Sequence, residues 1–215
     1  MIRLEVLTEK FSCLKELDKD CVIFGAEIHE YKHNPVLSEE AVSAFERKHG
    51  IRLPEEYRLY ITRTGDGGAG PFYGLLPLED NEGNEVDPKS PFPFTADKPL
   101  NLWDMYNEIE DAENRDELFE KIYADTCLRS DMGVIYISHE GCGMYNVLVV
   151  NGEEYGKVWW IDLSNDAGVY PLFDPTTGDQ LSFFRWYELW LDAAIGEKRG
   201  QNEELESCAR FTEKP

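Results

Sequence analysis

The chain has 215 residues and a mass of 24.8 kDa, which is enough for one hydrophobic core and does not require a second domain. Hydrophobic residues make up 42% and aromatic residues 13% of the chain, a composition that excludes a wholly disordered protein. The 43 acidic and 21 basic residues give a formal net charge of −22, which repels phosphate backbones. We therefore expect a cationic partner and no binding to nucleic acid.

The N-terminal region carries a charge every few residues and lacks the apolar core of a signal peptide. The longest apolar runs, residues 147–150 and 158–161, are far too short to span a bilayer. The chain has an odd number of cysteines, and no two of them form a CxxC pair. They are Cys13, Cys21, Cys127, Cys142 and Cys208. We therefore expect a cytoplasmic protein with reduced, mostly structural thiols, no membrane association and no cysteine-based zinc site.

The first 34 residues are predicted to form an N-terminal extension. Leucines and charges alternate over residues 1–21, which indicates a short helix. Residues 21–32 (CVIFGAEIHEYK) favour a strand or two short ones, because Val22, Ile23 and Phe24 form an apolar run. Asn34 and Pro35 then stop this element.

Two helices are predicted next. The first runs from Ser38, an N-cap candidate, to about His49, and Gly50 fits the left-handed position that ends many helices. The second follows Leu53, with Pro54 in the first helical position and Gly65 as its end.

The middle of the chain is less regular. Residues 65–74 (GDGGAGPFYG) are predicted to form a glycine-rich loop, and residues 79–99 a long, exposed, acidic loop. The spacing of apolar residues over 100–126 predicts helix, in two segments.

Residues 133–173 contain four apolar or alternating runs separated by three short turns rich in glycine, which predicts an antiparallel meander. A closing helix is predicted from about Ser182 to Ile195, followed by a frayed, charged tail over 196–215. Helices, then a meander, then a closing helix are typical of the α+β class. We predict one domain, residues 35–195, with an insertion-like acidic segment at about 79–130.

One motif matches a zinc hydrolase. His29-Glu30-Tyr31-Lys32-His33 has the form HExxH, in which two histidines one helical turn apart hold zinc and the glutamate acts as a base. The surroundings are rich in strand-forming residues and Pro35 follows closely, so we favour a chance match at a solvated strand end. Glu55 or Glu56 would be the third ligand of such a site, although both fit a helix N-terminus better.

Two further motifs receive structural interpretations. His139 and Cys142 form a conceivable thiol–imidazole pair, but both lie in a predicted hairpin turn, where the cysteine is expected to be partly buried. The loop at 65–74 lacks the lysine of a phosphate-binding loop and contains Asp66, so it is interpreted as a helix stop and a wide turn. The tryptophans, Trp103, Trp159, Trp160, Trp186 and Trp190, are expected mainly in the core.

The acidic stretches carry a functional alternative. Residues 79–87 contain five acids and no base, and residues 104–120 contain eight acids and one base. Such runs are either solvated faces or docking surfaces for a basic partner, whose association they would accelerate. Neither stretch has the spacing of a calcium-binding loop.

The chain resembles the SUKH superfamily, specifically its cell-wall-assembly-regulator (Smi/Knr-like) branch. Three segments in the family's order carry the resemblance. They are SEEAVSAFE (38–46) with GIRLPEEY (50–57), Gly67-Gly68 and GLLPL (74–78); HEGCG (139–143) with LVVNG (148–152) and GKVW (156–159); and Ser182-Phe183-Phe184 with Trp186 and Trp190. The acidic region 79–130 matches less well.

The resemblance implies a one-domain α+β fold with helices around a central sheet, no catalytic residues, and a binding function. Bacterial members look like immunity proteins that neutralise polymorphic toxins, often nucleases, and fungal relatives act as regulators and scaffolds in cell-wall synthesis. We therefore expect a cytosolic immunity-type protein without cofactor or metal, bound to a cognate toxin domain with a basic surface. The alternatives are a regulatory scaffold and the HExxH zinc hydrolase. The candidate partner contacts are acidic: Glu79, Asp80, Glu82, Asp104, Glu108 and Asp111.

Overall fold

The computed structural model describes the backbone of residues 4–212 and the side chains of residues 4–201. Its helices are α1 (Leu4–Leu17), α2 (Ala26–His29), α3 (Glu39–His49), α4 (Glu55–Arg63), α5 (Leu102–Glu108), α6 (Arg115–Ser130) and α7 (Phe183–Thr212). Its strands are β1 (Leu100–Asn101), β2 (Val134–Gly141), β3 (Met144–Val149), β4 (Val158–Asp162) and β5 (Gly168–Pro171).

The five strands form one antiparallel sheet in the order β1-β5-β4-β3-β2. The predicted meander over 133–173 is confirmed, as is the single α+β domain. Cys142 and Gly143 form the two-residue turn between β2 and β3, with φ values of 51° and 75°. Positive φ at both positions matches the twist of the flanking strands, which is why a glycine is useful there.

Helices α1, α2, α3, α4 and α7 cover one face of the sheet. Ile135, Ile137 and Leu148 point to this side and join a core that includes residues of α1, α3, α4 and α7. Successive residues of a strand point to opposite faces, so the neighbouring Val134, Tyr136 and similar positions face the other way.

The other face of the sheet is covered by the acidic segment 79–130. Phe92 and Phe94 are buried there, and Phe92 meets Trp159 edge-to-face with ring centroids 4.9 Å apart. Leu102 of α5 and the partly buried Ile122 of α6 complete this second core. The prediction of an exposed loop over 79–99 is therefore wrong in part, because burial of the two phenylalanines holds the loop against the sheet.

The two predicted central helices are confirmed with small shifts at their ends. The Ser38 hydroxyl accepts a hydrogen bond from the Ala41 N–H (3.1 Å) at the N-terminus of α3. Gly50 ends that helix in the left-handed conformation. Pro54 is the N-cap of α4 and not its first helical residue, and Thr64 ends α4 one residue before Gly65.

The strand predicted within residues 21–32 is wrong, because this segment contains the one-turn helix α2 and turns. The Asp18 carboxylate accepts hydrogen bonds from the N–H groups of Val22 (3.1 Å) and Ile23 (3.0 Å). These backbone donors are thereby bonded to a side chain and not to a neighbouring strand. The helix predicted over residues 1–21 is confirmed from Leu4 to Leu17, and residues 1–3 lie outside the described part.

The closing helix is longer than predicted. It continues beyond Ile195 to Thr212, so the expectation of a frayed tail from residue 196 is wrong for the described backbone. Cys208 and the other side chains beyond residue 201 lie outside the described part. None of the described helices combines the length and the apolar character that a bilayer-crossing segment needs.

Candidate functional site

The HExxH residues do not lie on one helix face. The helix α2 ends at His29, and Glu30 and Tyr31 follow in the left-handed conformation (φ 47° and 53°). The His29 ring packs near Trp190, whereas the His33 ring packs on Phe11 with centroids 4.5 Å apart.

The imidazole groups also have different polar surroundings. His29 Nδ1 accepts the N–H of Tyr31 (3.1 Å), and Glu30 pairs with Lys32. Within residues 4–201 no group of three or more potential ligands is arranged to hold a metal ion. We expected the HExxH motif at a solvated strand end, and this expectation is wrong because His29 is buried. Burial lowers the pKa of both His29 and His33.

The other two motifs are turns. Cys142 is exposed at the tip of the β2–β3 hairpin, so the expectation that it is partly buried is wrong. The His139 ring stacks on Tyr145 at 4.7 Å, so it packs on an aromatic side chain of the neighbouring strand. In the loop at 65–74, the Asp66 carboxylate accepts the N–H of Leu78 (2.8 Å), which stabilises a wide turn.

The six acidic candidate contacts are all exposed on the segment that covers the second face of the sheet. Glu79 lies 3.7 Å from Lys48, and Asp104 accepts a hydrogen bond from the Asn101 side chain (2.8 Å). Over residues 79–130 the sequence has fifteen acidic and five basic residues. The surface of this segment is therefore anionic.

The tryptophans divide between core and surface. Trp159 and Trp186 are buried, as predicted, and Trp160 and Trp190 are half-buried. Trp103 on α5 is 63% exposed, which the prediction of core positions missed.

A row of rings crosses the surface from α2 to the acidic loop, and we call Phe24, Tyr73, His139 and Tyr145 the aromatic strip. The ring centroids of Phe24 and Tyr73 are 5.2 Å apart, and those of Tyr73 and His139 are 6.0 Å apart. Burial raises the pKa of Tyr145, and the nearby charge of Glu82 raises it further. The last ring of the aromatic strip therefore lies within the electric field of Glu82, one of the predicted acidic contacts.

An apolar groove opens at the other end of the aromatic strip. It has a volume of about 360 Å³ and lies between α7 and the loops that carry Phe24 and Phe72. Trp186 and Trp190 form part of its wall, and Glu197 is the one charged residue that lines it within the described side chains. Phe24 is 58% exposed and Ile28 is 63% exposed. Contiguous exposed apolar side chains of this kind mark interaction sites more often than isolated ones do.

The backbone around the groove is held in an uncommon conformation. A Cβ atom on Gly25, where φ is 81°, would lie 1.6 Å from the Phe72 carbonyl oxygen. Phe72 itself has a positive φ of 54°, which a bulky residue seldom adopts. Close contact of the two loops therefore requires glycine at position 25, and it leaves the Phe24 ring outside the core.

The aromatic strip is not recognisable in the sequence. Its first and last residues, Phe24 and Tyr145, lie 121 positions apart, and the run Val22-Ile23-Phe24 looks like a buried strand. The one available sign is Gly25 directly after this run, because an isolated glycine in a strand pattern suggests close backbone approach.

One family model matches the chain. Its description is SMI1 / KNR4 family (SUKH-1), and it covers residues 36–179, two thirds of the sequence. No curated protein and no solved structure matches the chain. The matched range contains the sheet, the acidic segment, and Tyr73, His139 and Tyr145 of the aromatic strip, whereas Phe24 lies outside it.

Proposed function

The chain belongs to the SMI1/KNR4 (SUKH-1) family, and on this premise we propose that it is an immunity-type binding protein that neutralises a polymorphic toxin. The resemblance found in its motifs is thereby confirmed. Proteins of this family are generally non-enzymatic immunity or regulatory proteins. The proposed toxin is a nuclease, and the chain blocks it by direct contact.

The observation that carries this proposal is the aromatic strip, which runs from the apolar groove at Phe24 to Tyr145, where the negative charge of Glu82 is felt. Binding interfaces are stabilised mainly by a few aromatic or arginine side chains at the centre. Acidic groups at their border accelerate association with a basic partner and reject acidic ones. This surface supplies both components side by side.

The proposed partner has a matching chemistry. A nuclease presents cations to a phosphate backbone, so its substrate cleft is a basic surface. An anionic protein with a net charge of −22 is attracted to that cleft and competes with nucleic acid for it. We expect the toxin to place an apolar side chain in the groove beside Phe24 and basic side chains against Asp80 and Glu82.

The test is co-expression of the chain with the nuclease domain encoded beside its gene. We expect rescue of growth, a complex that elutes as one species in gel filtration, and loss of nuclease activity in the purified complex. Added salt is expected to weaken the complex, because exposed ion pairs are screened.

Three results would contradict the proposal. The first is free nuclease activity in the presence of excess chain. The second is co-purification with enzymes of cell-wall synthesis in place of a toxin, which would favour the regulatory scaffold. The third is turnover of a substrate by the chain alone that is abolished by a single substitution.

A further inference from the structure

A second cavity lies between α1 and α4, away from the acidic loop. It has a volume of about 250 Å³, and its walls include Leu7 and Phe11 of α1, His33, Tyr60 and Arg63. This volume is slightly below the roughly 300–1,000 Å³ typical of small-molecule pockets. Any occupant is therefore small.

The inner end of this α1 cavity is polar. The Tyr60 hydroxyl, on a side chain that is 1% exposed, is enclosed by the protein and lies beside the Tyr187 hydroxyl. The neighbouring Tyr187 hydroxyl donates to the Ala69 carbonyl oxygen (3.0 Å) and lies 3.4 Å from His33 Nε2. Burial raises the pKa of both tyrosines, so their hydroxyls stay protonated and remain donors at neutral pH. The two hydroxyls are therefore neutral and add no charge to the cavity.

The charge lining the α1 cavity is positive. Arg63 is exposed at its edge and forms no ion pair with the residues whose side chains are described. Among the residues whose side chains are described, no acidic residue lines the cavity. Burial, with smaller contributions from His29 and Lys15, lowers the pKa of His33 to about 4, so the imidazole is neutral at pH 7. Of the described residues that line the cavity, Arg63 is thus the one that presents a full charge to a ligand, in a protein with a net charge of −22.

We propose that the α1 cavity binds a small carboxylate with a compact apolar body. The carboxylate pairs with the Arg63 guanidinium, whose planar fork matches the two carboxylate oxygens. The apolar body packs on Leu7 and Phe11. This site is separate from the proposed toxin-binding surface, because none of its lining residues belongs to the aromatic strip, the apolar groove or the acidic candidate contacts.

The test uses three probes with the full chain: benzoate, hexanoate, and benzamide as the uncharged analogue of benzoate. The ring resonances of His33, which lines the α1 cavity, are followed by NMR during each titration. We expect saturable shifts with at least one carboxylate and none with benzamide. Shifts with neither carboxylate, or equal shifts with benzamide, would overturn the proposal.

Two variants then assign the contacts. Arg63→Gln is expected to weaken the bound carboxylate by about fivefold, the upper range for an exposed ion pair, and the matched exposed variant Arg47→Gln is expected to have no effect. Tyr60→Phe keeps Arg63 and the apolar walls of the cavity, and the hydroxyl that it removes is enclosed by the protein, so we expect it to leave the affinity unchanged. Equal affinity of the Arg63→Gln and Arg47→Gln variants would also refute the site.

Discussion

The Glu56 carboxylate accepts a hydrogen bond from the backbone N–H of Phe184 at 2.9 Å. A side chain of α4 therefore caps the first turn of α7, although the two residues are 128 positions apart. The N–H groups at the beginning of a helix have no partner within the helix, and a negative charge is favourable at that end. This contact joins two helices that lie on the same face of the sheet.

Replacement of Glu56 by alanine is expected to lower the free energy of unfolding by about 1 kcal/mol, the usual cost of losing a cap. The adjacent Glu55→Ala is the control, because Glu55 is exposed and also lies in the first turn of α4. Urea denaturation of the two variants measures the difference. If both variants lose the same stability, the effect belongs to the charge at the start of α4 and not to the contact with Phe184.

Asp18 is fully buried and links three elements. Burial alone would raise the pKa of its carboxyl group, but hydrogen bonds from the Tyr31 hydroxyl (2.7 Å), from backbone N–H groups and from Lys198 outweigh it and lower the pKa. Lys198 on α7 lies 3.2 Å away, and its side chain is 12% exposed. Asp18→Asn is expected to cost about 3 kcal/mol, because it leaves a nearly buried ammonium group unpaired.

The same carboxylate predicts a pH dependence. A group whose pKa is lowered by folding stabilises the protein above its unfolded pKa, here ordinarily 3.8, and the effect is lost as the pH falls through the folded value. The stability difference between the natural chain and Asp18→Asn should thus be complete at about pH 7 and smaller at about pH 3. Chemical denaturation at both values measures it, with the exposed Asp20→Asn as control. A difference in the free energy of unfolding that grows as the pH falls would contradict a lowered pKa of Asp18 in the folded protein.

Gly25 is expected to be the least replaceable glycine near the groove. Gly25→Ala combines an unfavourable positive φ with a collision with the Phe72 carbonyl oxygen, so we expect a loss of at least about 3 kcal/mol. Gly178 has a similar φ of 76° with no atom within 4 Å of the added Cβ, and Gly178→Ala should cost only about 1 kcal/mol. Thermal unfolding of the pair separates the collision from the backbone strain. Equal losses of stability in Gly25→Ala and Gly178→Ala would mean that the loops carrying Gly25 and Phe72 separate easily.

Phe24 is expected to contribute to partner binding and little to stability. Because its ring is 58% exposed, Phe24→Ala should change the free energy of unfolding by less than about 0.5 kcal/mol. Its effect on the Kd for the toxin should be tenfold or more, as is common for aromatic residues that carry binding energy, at about 1.4 kcal/mol per tenfold. Val36→Ala is the matched control, since Val36 is 50% exposed and does not line the groove. Isothermal titration calorimetry with the purified toxin measures the Kd of both variants. An unchanged Kd for Phe24→Ala would exclude Phe24 from the interface.

The acidic loop is expected to act mainly on the rate of association. The double variant Asp80→Lys/Glu82→Lys should slow association about tenfold at low salt, because it reverses the attraction to a basic partner. Glu5→Lys/Glu9→Lys on α1 changes the net charge equally and should have a much smaller effect. Stopped-flow measurements should show that the association rates of the two variants converge as salt is added, because the Debye length falls to about 3 Å at 1 M. Identical rates at low salt would show that only net charge matters.

Local features of the sequence were enough to predict the helices α3 and α4, the antiparallel meander and the hairpin turn at residues 139–143. Each of these features depends on residues close together in the sequence. The Ser38 side chain caps the first turn of α3, and Gly50 ends its last turn in the left-handed conformation. Short-range steric contacts and hydrogen bonds decide both, independently of the rest of the chain. The family resemblance rested on the same kind of local motif, and it too was confirmed.

Only the tertiary structure decided where distant segments meet. The run Val22-Ile23-Phe24 has the pattern of a strand, but the Asp18 carboxylate binds two of its N–H groups and redirects it into a turn and α2. Phe92 and Phe94 lie in a proline-rich stretch with no recognisable element, yet burial against Trp159 makes them part of a core. The aromatic strip and the α1 cavity likewise depend on packing between residues far apart in the chain. Such contacts are set by long-range packing and by competition for backbone hydrogen bonds, and neither has a local signature in the order of the residues.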